Sequence, residues 1–141
     1  MQKITTFLWF DNKAEEAMKF YVSIFKNSKI LSPMSFQIEG QEFIAFNGGP
    51  HFSFTPAISL FVNCESQEEV DELWDKLSDG GERSRCGWVK DKFGLSWQVI
   101  PSILGKLMQD KDPQKSARVR NSMLQMGKID IQALETAFNG A

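Results

Sequence analysis

A strand, a cap and a helix recur in the same order at a spacing of 52 to 53 residues, and this internal repeat constrains the fold more than any other feature. Leu8-Trp9-Phe10-Asp11-Asn12 aligns with Leu60-Phe61-Val62-Asn63-Cys64, Glu15-Glu16-Ala17 with Glu68-Glu69-Val70, and Phe20-Tyr21 with Leu73-Trp74. The pattern predicts an α+β chain of two βαβββ modules, residues 1–55 and 56–101, followed by a C-terminal helical extension over 102–141.

In the first module, Ile4 to Phe10 is apolar and aromatic and reads as a strand. Ala14, Ala17, Met18, Tyr21, Ile24 and Phe25 then fall on one face of a helix. Asn12 is the expected N-cap, with Glu15 as its return partner. Lys29 to Ile38 and Glu42 to Phe46 flank Glu39-Gly40-Gln41 as a hairpin, and His51 to Phe54 is read as a further short strand. In the second module, Ala57 to Val62 forms the opening strand. Ser66 and Glu69 form a capping box before the stripe Val70, Leu73, Trp74 and Leu77, which Gly80-Gly81 stops. Short strands follow in Glu82–Cys86, Gly87–Lys90 and Leu95–Ile100, with Asp91-Lys92-Phe93-Gly94 as the turn before the last.

The tail carries a short helix over Ser102–Gln109, a helix capped by Asp112-Pro113 and stopped at Gly127, and a last helix capped by Asp130. Its apolar residues Val119, Met123, Met126, Ile131 and Leu134 must be buried, either on their own domain or on a second subunit. Contact across a homodimer is the expectation.

With 42% hydrophobic residues, among them 12 Phe and 4 Trp, the chain can build an aromatic-rich core. A net charge of -2 gives no general attraction to nucleic acid or to an anionic membrane. No apolar run is long enough to span a bilayer, and the first residues do not read as a signal peptide. Cys64 and Cys86 form no CxxC pair and are expected as free thiols. A cytoplasmic setting follows from these readings.

No paired carboxylates, phosphate loop, Ser-His-Asp order or zinc-ligand spacing is present. Ligand-binding candidates are therefore single residues. His51, the one histidine, follows the Gly48-Gly49-Pro50 turn and offers a group that titrates near neutral pH at a cavity mouth, or else a plain surface histidine. Gln98 alternates with Trp97 and Val99 along the final strand and is either a buried amide bonded to backbone or a ligand contact. Trp9 and Trp88 are core residues or the aromatic walls of an apolar pocket. Cys86 has no base beside it in sequence.

Phe7-Leu8-Trp9-Phe10-Asp11 leading into Ala14-Glu15-Glu16-Ala17-Met18-Lys19-Phe20-Tyr21 resembles the opening of PhnB-like proteins of the vicinal-oxygen-chelate (glyoxalase/bleomycin resistance) superfamily. Phe46-Asn47-Gly48-Gly49-Pro50, Pro56 to Val62, Cys86-Gly87-Trp88 and Lys92 to Gln98 add to the resemblance, as does the tail segment Met126 to Ile131. It implies two βαβββ modules whose curved sheets enclose a cavity, and a homodimer. The domain is also described as 3-demethylubiquinone-9 3-methyltransferase-like. A methyltransferase needs a glycine-rich turn between a strand and a helix, but Gly48-Gly49 precedes a short strand and Gly80-Gly81 follows a helix. Metal-binding members of the superfamily take ligands from the first and last strands of each module. Those positions fall here at Ile4 to Thr6, Ala45, Ala57 and Gln98. Only Gln98 and Thr5 or Thr6 carry a ligand atom, and both types are weak donors. The implied function is a small-molecule-binding protein of unknown substrate, with Thr6 among its ligand contacts. It is expected to have no cofactor and to lack a complete glyoxalase-type metal site. The alternatives are a metal-dependent lyase, isomerase or dioxygenase, the methyltransferase-like activity, and an interaction module that recruits a partner through its tail.

Overall fold

The computed structural model describes residues 2–140, in two compact units, Met1–Thr55 and Pro56–Ala141. In the first unit the order is β1 (Thr6–Phe10), α1 (Ala14–Ile24), β2 (Lys29–Ser32), β3 (Ser35–Ile38) and β4 (Gln41–Asn47). The sheet runs β1-β4-β3-β2, with β1 parallel to β4 and the other neighbours antiparallel. Parallel strands cannot be joined by a tight turn. Here α1 makes the crossing, leading from β1 at one edge to β2 at the other.

The helix covers one face of that sheet. Leu8, Phe10, Phe36, Ile38, Phe43 and Ala45 are buried beneath Ala14, Ala17, Met18 and Tyr21. Tyr21 stacks on Phe36 at 5.8 Å between ring centroids, and Phe36 on Phe43 at 5.2 Å.

The second unit repeats the plan with β5 (Ser59–Cys64), α2 (Gln67–Ser78), β6 (Glu82–Arg83), β7 (Trp88–Lys90) and β8 (Ser96–Pro101), in the order β5-β8-β7-β6. Again the first and last strands pair in parallel. Val70, Leu73, Trp74 and Leu77 of α2 bury against Val89, Trp97 and Val99. The two-module architecture and the C-terminal helices are those expected from the sequence.

Three local expectations are corrected. Lys29 to Ile38 is not one extended run: Pro33 and Met34 break it into β2 and β3, because proline removes a ladder donor and favours a turn. His51 to Phe54 forms no strand. Asn12 does not cap α1; it adopts a left-handed φ of 58°, and the Ala14 N–H instead donates to Asn47 Oδ1 at 2.9 Å. The capping box of α2 is present but shifted at its return bond. Ser66 Oγ accepts from the Glu69 N–H at 3.1 Å, while Glu69 Oε1 accepts from the N–H of Glu65 rather than of Ser66.

The tail forms α3 (Ser102–Met108), α4 (Pro113–Met123) and α5 (Ile131–Asn139), the latter two capped by Asp112 and Asp130 as expected. Its apolar stripe packs within its own chain. Val119, Ile129 and Leu134 join Ile100 and Leu104 in one buried cluster, with Met123, Met126 and Phe138 against it. The contact across two subunits expected for this stripe is thus met in cis. Gln67 of α2 fastens the tail with both ends of its amide. It donates to the Ile129 carbonyl at 2.9 Å and accepts from the Ile131 N–H at 2.8 Å. Lys128 pairs with Asp71 at 3.0 Å, and the Gln67 amide donating to Asp71 together with that lysine holds the Asp71 carboxyl below its ordinary range. No helix among the described residues is long and apolar enough to cross a membrane.

Asp91 ties the β7–β8 turn to the core. Its carboxylate accepts from the Phe93 and Leu95 N–H groups at 2.9 and 3.1 Å and from the buried indole N–H of Trp97 at 2.9 Å. Replacing Asp91 with Ala strands those donors. Each buried donor left unmet costs about 1–3 kcal/mol, so urea denaturation of Asp91→Ala should show at least about 3 kcal/mol of lost stability, against a loss below 1 kcal/mol for the exposed control Asp110→Ala.

Candidate functional site

Because each helix covers one sheet face, strand alternation sends every second side chain to the other face. In the first unit that open face carries Phe7, Trp9, Ile44 and Phe46, with Phe7 opposite Ile44 and Trp9 opposite Phe46 in register. Phe46 lies 5.4 Å from Phe7 and 5.3 Å from Trp9 between ring centroids, and Phe52 from the following loop meets Trp9 edge-on at 4.9 Å. The indole N–H of Trp9 donates to the Gly49 carbonyl at 3.0 Å. A Cβ at position 48 would collide with the indole, so Gly48 is the residue that lets Trp9 lie flat against the loop.

In the second unit the open-face row is Ser59, Phe61, Trp88, Lys90, Ser96 and Gln98. Trp88 sits opposite Gln98 and Lys90 opposite Ser96. Gln98 donates from Nε2 to Ser59 Oγ at 3.0 Å, so its amide is half-buried and bonded to a side chain. Trp88, Lys90 and Ser96, with Glu82, Ser84, Arg85, Cys86 and Pro56, line a cleft of about 500 Å3. Two other depressions, of about 550 and 490 Å3, lie at the end of α2 and beside α5 and have no aromatic wall.

One wall of the cleft is a strained turn. Trp88 N–H donates to Arg85 O at 3.0 Å, and the two central residues, Cys86 and Gly87, have φ of 58° and 84°. Glycine takes this region freely, whereas cysteine enters it only when its surroundings hold it there. The tail supplies that hold: Cys86 N–H donates to Met126 O and Gly87 N–H to Gly127 O, both at 2.8 Å, and the Cys86 thiol points at Met123 O at 3.6 Å. Position 87 has no room for a side chain, since a Cβ there would lie 2.8 Å from Val99 O.

The five sequence candidates separate. Trp88 and Gln98 come together on one face of the second unit. Trp9 lies on the equivalent face of the first unit. Thr6 does not join Trp9: it shares the helix-side row with Leu8 and Phe10, because two residues along a strand return to the same face. His51 is exposed in the loop after β4, and no bond holds it among the described residues. Sequence reasoning missed Lys90, Ser96 and Arg85. Alternation from Trp88 to Lys90 and from Gln98 to Ser96 was the signal that could have found the first two.

The positions at which the sequence resemblance would place metal ligands carry few donor atoms. Ala45 is buried on the helix side, Ala57 has only a methyl group, Gln98 is engaged with Ser59, and Thr6 faces the helix side. Among the described residues no three His, Cys, Asp or Glu side chains converge.

A family model described as 3-demethylubiquinone-9 3-methyltransferase matches residues 2–34 and 31–100. The PhnB protein of Bacillus cereus is 40% identical, with 72% of this chain and 100% of that one covered at a TM-score of 0.66. The chain belongs to this PhnB-like family. A protein from Staphylococcus aureus is 34% identical over 72% of this chain and 98% of its own, but superposes at a TM-score of only 0.32. A protein from Pseudomonas aeruginosa shares the fold at 18% identity and a TM-score of 0.56, covering 69% of this chain and 95% of its own. No curated protein matches. The family match ends at residue 100, so the resemblance noted for Met126 to Ile131 lies beyond it.

The two thiols are free and differ in character. Cys64 is fully buried, and its pKa is pushed up to about 12, first by burial and then by Glu69 and Glu65. The folded state therefore keeps a proton that the unfolded chain releases near pH 9. The resulting stability is complete below pH 9 and is lost as pH rises toward 12, at about 1.4 kcal/mol per pH unit. Melting of wild type and Cys64→Ala across pH 8 to 11.5 should show the wild type losing stability faster by this slope. Parallel curves would contradict it. A thiol reagent at pH 8 should label Cys86 in the native protein and Cys64 only after unfolding.

Proposed function

We propose that this PhnB-like chain is a small-molecule-binding protein whose ligand lies in the cleft on the open face of the second unit, without a glyoxalase-type metal. The observation that carries this reading is the cleft itself. Its roughly 500 Å3 lies within the range of small-molecule sites, its wall is the Trp88 indole, and its floor is sheet. Glu82, Arg85, Lys90 and Ser96 set polar and charged groups beside that indole, which can orient a ligand. The repeated βαβββ plan of the two units is in keeping with the vicinal-oxygen-chelate superfamily.

Binding is favoured over methyl transfer, the activity in the family's description, by the two strand-to-helix turns. They read Asp11-Asn12-Lys13 and Glu65-Ser66 and hold no glycine, so neither lets backbone approach a nucleotide-like cofactor closely.

The chain acts as a homodimer in this reading. Phe7 is 52% exposed on the open face of the first unit, and Ile30, Leu31, Met34 and Phe52 of the same unit are also exposed. So much apolar surface on one small unit is what a second copy would cover. Two free thiols are in keeping with a reducing, cytoplasmic setting.

Calorimetric titration with neutral and charged one- and two-ring aromatics tests the cleft. Trp88→Ala should weaken binding of whichever compound binds by at least tenfold, since an aromatic wall contributes on the order of 1.5 kcal/mol or more. An unchanged affinity would remove the cleft from consideration. Sedimentation should give a dimer for the wild type and a lighter species for Phe7→Asp; a monomeric wild type at tens of micromolar would contradict the assembly.

A further inference from the structure

Several donors that line the cleft meet no acceptor among the described residues. Ser96 is 3% exposed and lines the cleft; no buried side-chain oxygen among the described residues lacks a partner, so its hydroxyl, which bonds to no protein group there, opens onto the cleft. It lies on the same row as Gln98, which places it on the open face where it lines the cleft. The Trp88 indole N–H meets no acceptor among the described residues, in contrast to the indoles of Trp9 and Trp97. Arg85 and Lys90 line the same cleft and form no ion pair among the described residues. Glu82 is the one carboxylate there; it stands opposite Lys90 in register but does not bond to it. Two cations, a hydroxyl and an indole N–H against one carboxylate leave an excess of donors and of positive charge.

A hydroxyl that opens onto the cleft beside a lysine is free to donate to a ligand that enters it. Lys90 and Ser96 are direct cross-strand neighbours, whose Cβ atoms stand about 5 Å apart. One carboxylate can therefore accept from both. Trp88 lies two residues along β7 on the same face, about 7 Å away, which is the reach of an aromatic ring bearing that carboxylate. Resting on the reading of the cleft as the ligand site, we infer that its ligand is an aromatic carboxylate, with the ring against Trp88 and the carboxylate held by Ser96 and Lys90 and approached by Arg85. This sets the ligand apart from a neutral quinone, which brings no charge to the two cations.

The test is calorimetric titration of the full chain with 2-naphthoate and with its neutral isostere 2-naphthamide, in wild type, Ser96→Ala, Lys90→Gln, Arg85→Gln and Trp88→Ala. The inference expects naphthoate to bind at least tenfold more tightly than naphthamide, with an affinity that falls as salt rises. Ser96→Ala and Lys90→Gln should each weaken naphthoate roughly tenfold and leave naphthamide unchanged. Trp88→Ala should weaken both. Equal binding of the two compounds, lost in Trp88→Ala but indifferent to Lys90→Gln and Ser96→Ala, would overturn the carboxylate assignment and leave the cleft standing. Binding of neither compound, or binding unaffected by Trp88→Ala, would overturn both. Circular dichroism and melting of each variant separate a lost ligand contact from a lost fold.

Discussion

Each module pairs its first strand with its last in parallel, and most of the structure follows from that pairing. A parallel pair needs a crossing segment, and in each module a single helix of 11 or 12 residues makes it. One helix can shield only one face of a four-stranded sheet. The opposite face keeps its alternate side chains and has no cover from its own helix. The rows Phe7-Trp9, Ile44-Phe46 and Trp88-Lys90, Ser96-Gln98 are therefore left open by the helices, while Leu8, Phe43, Trp97 and Val99 serve packing.

The second unit turns its open face into a cleft by adding two restraints. Asp91 fixes the turn that delivers β8, and through the Trp97 indole it joins that turn to the helix-side core. The C-terminal helices restrain the far wall, where the backbone of Met126 and Gly127 holds Cys86 and Gly87 in a conformation that cysteine avoids unaided. Those helices lie beyond the residues that the family model matches. In this chain they do more than close the hydrophobic cluster around Val119 and Ile129, since they also hold one wall of the cleft.

The repeat, both helices and the caps at Ser66, Asp112 and Asp130 were legible in the sequence because each rests on local chemistry: a side-chain oxygen, a following helix and a periodic stripe. Strand positions in the first module were less legible. Pro33 splits a run that looks continuous, and Asn12 has the composition of a cap while Asn47, 33 residues away, performs part of that role. The site was harder to read. Thr-Phe-Leu-Trp-Phe in β1 is apolar on both faces, so a binary pattern cannot say that Trp9 is open and Leu8 covered, nor that Thr6 goes with the helix. Trp97 and Trp88 look alike in sequence; one is locked to Asp91 and the other walls the cleft. Ser96 was invisible because its place opposite Lys90 in the cleft is a matter of strand register, which only a three-dimensional arrangement reveals.

Binding of a small molecule on the open face of the second sheet is read most directly by nuclear magnetic resonance of isotope-labelled full-length protein titrated with 2-naphthoate. The Trp88 indole resonance and the amides of Lys90 and Ser96 should shift together and saturate, while those of α5 stay fixed. Shifts confined to the first unit or to the tail helices, or no saturable shift at all, would contradict it.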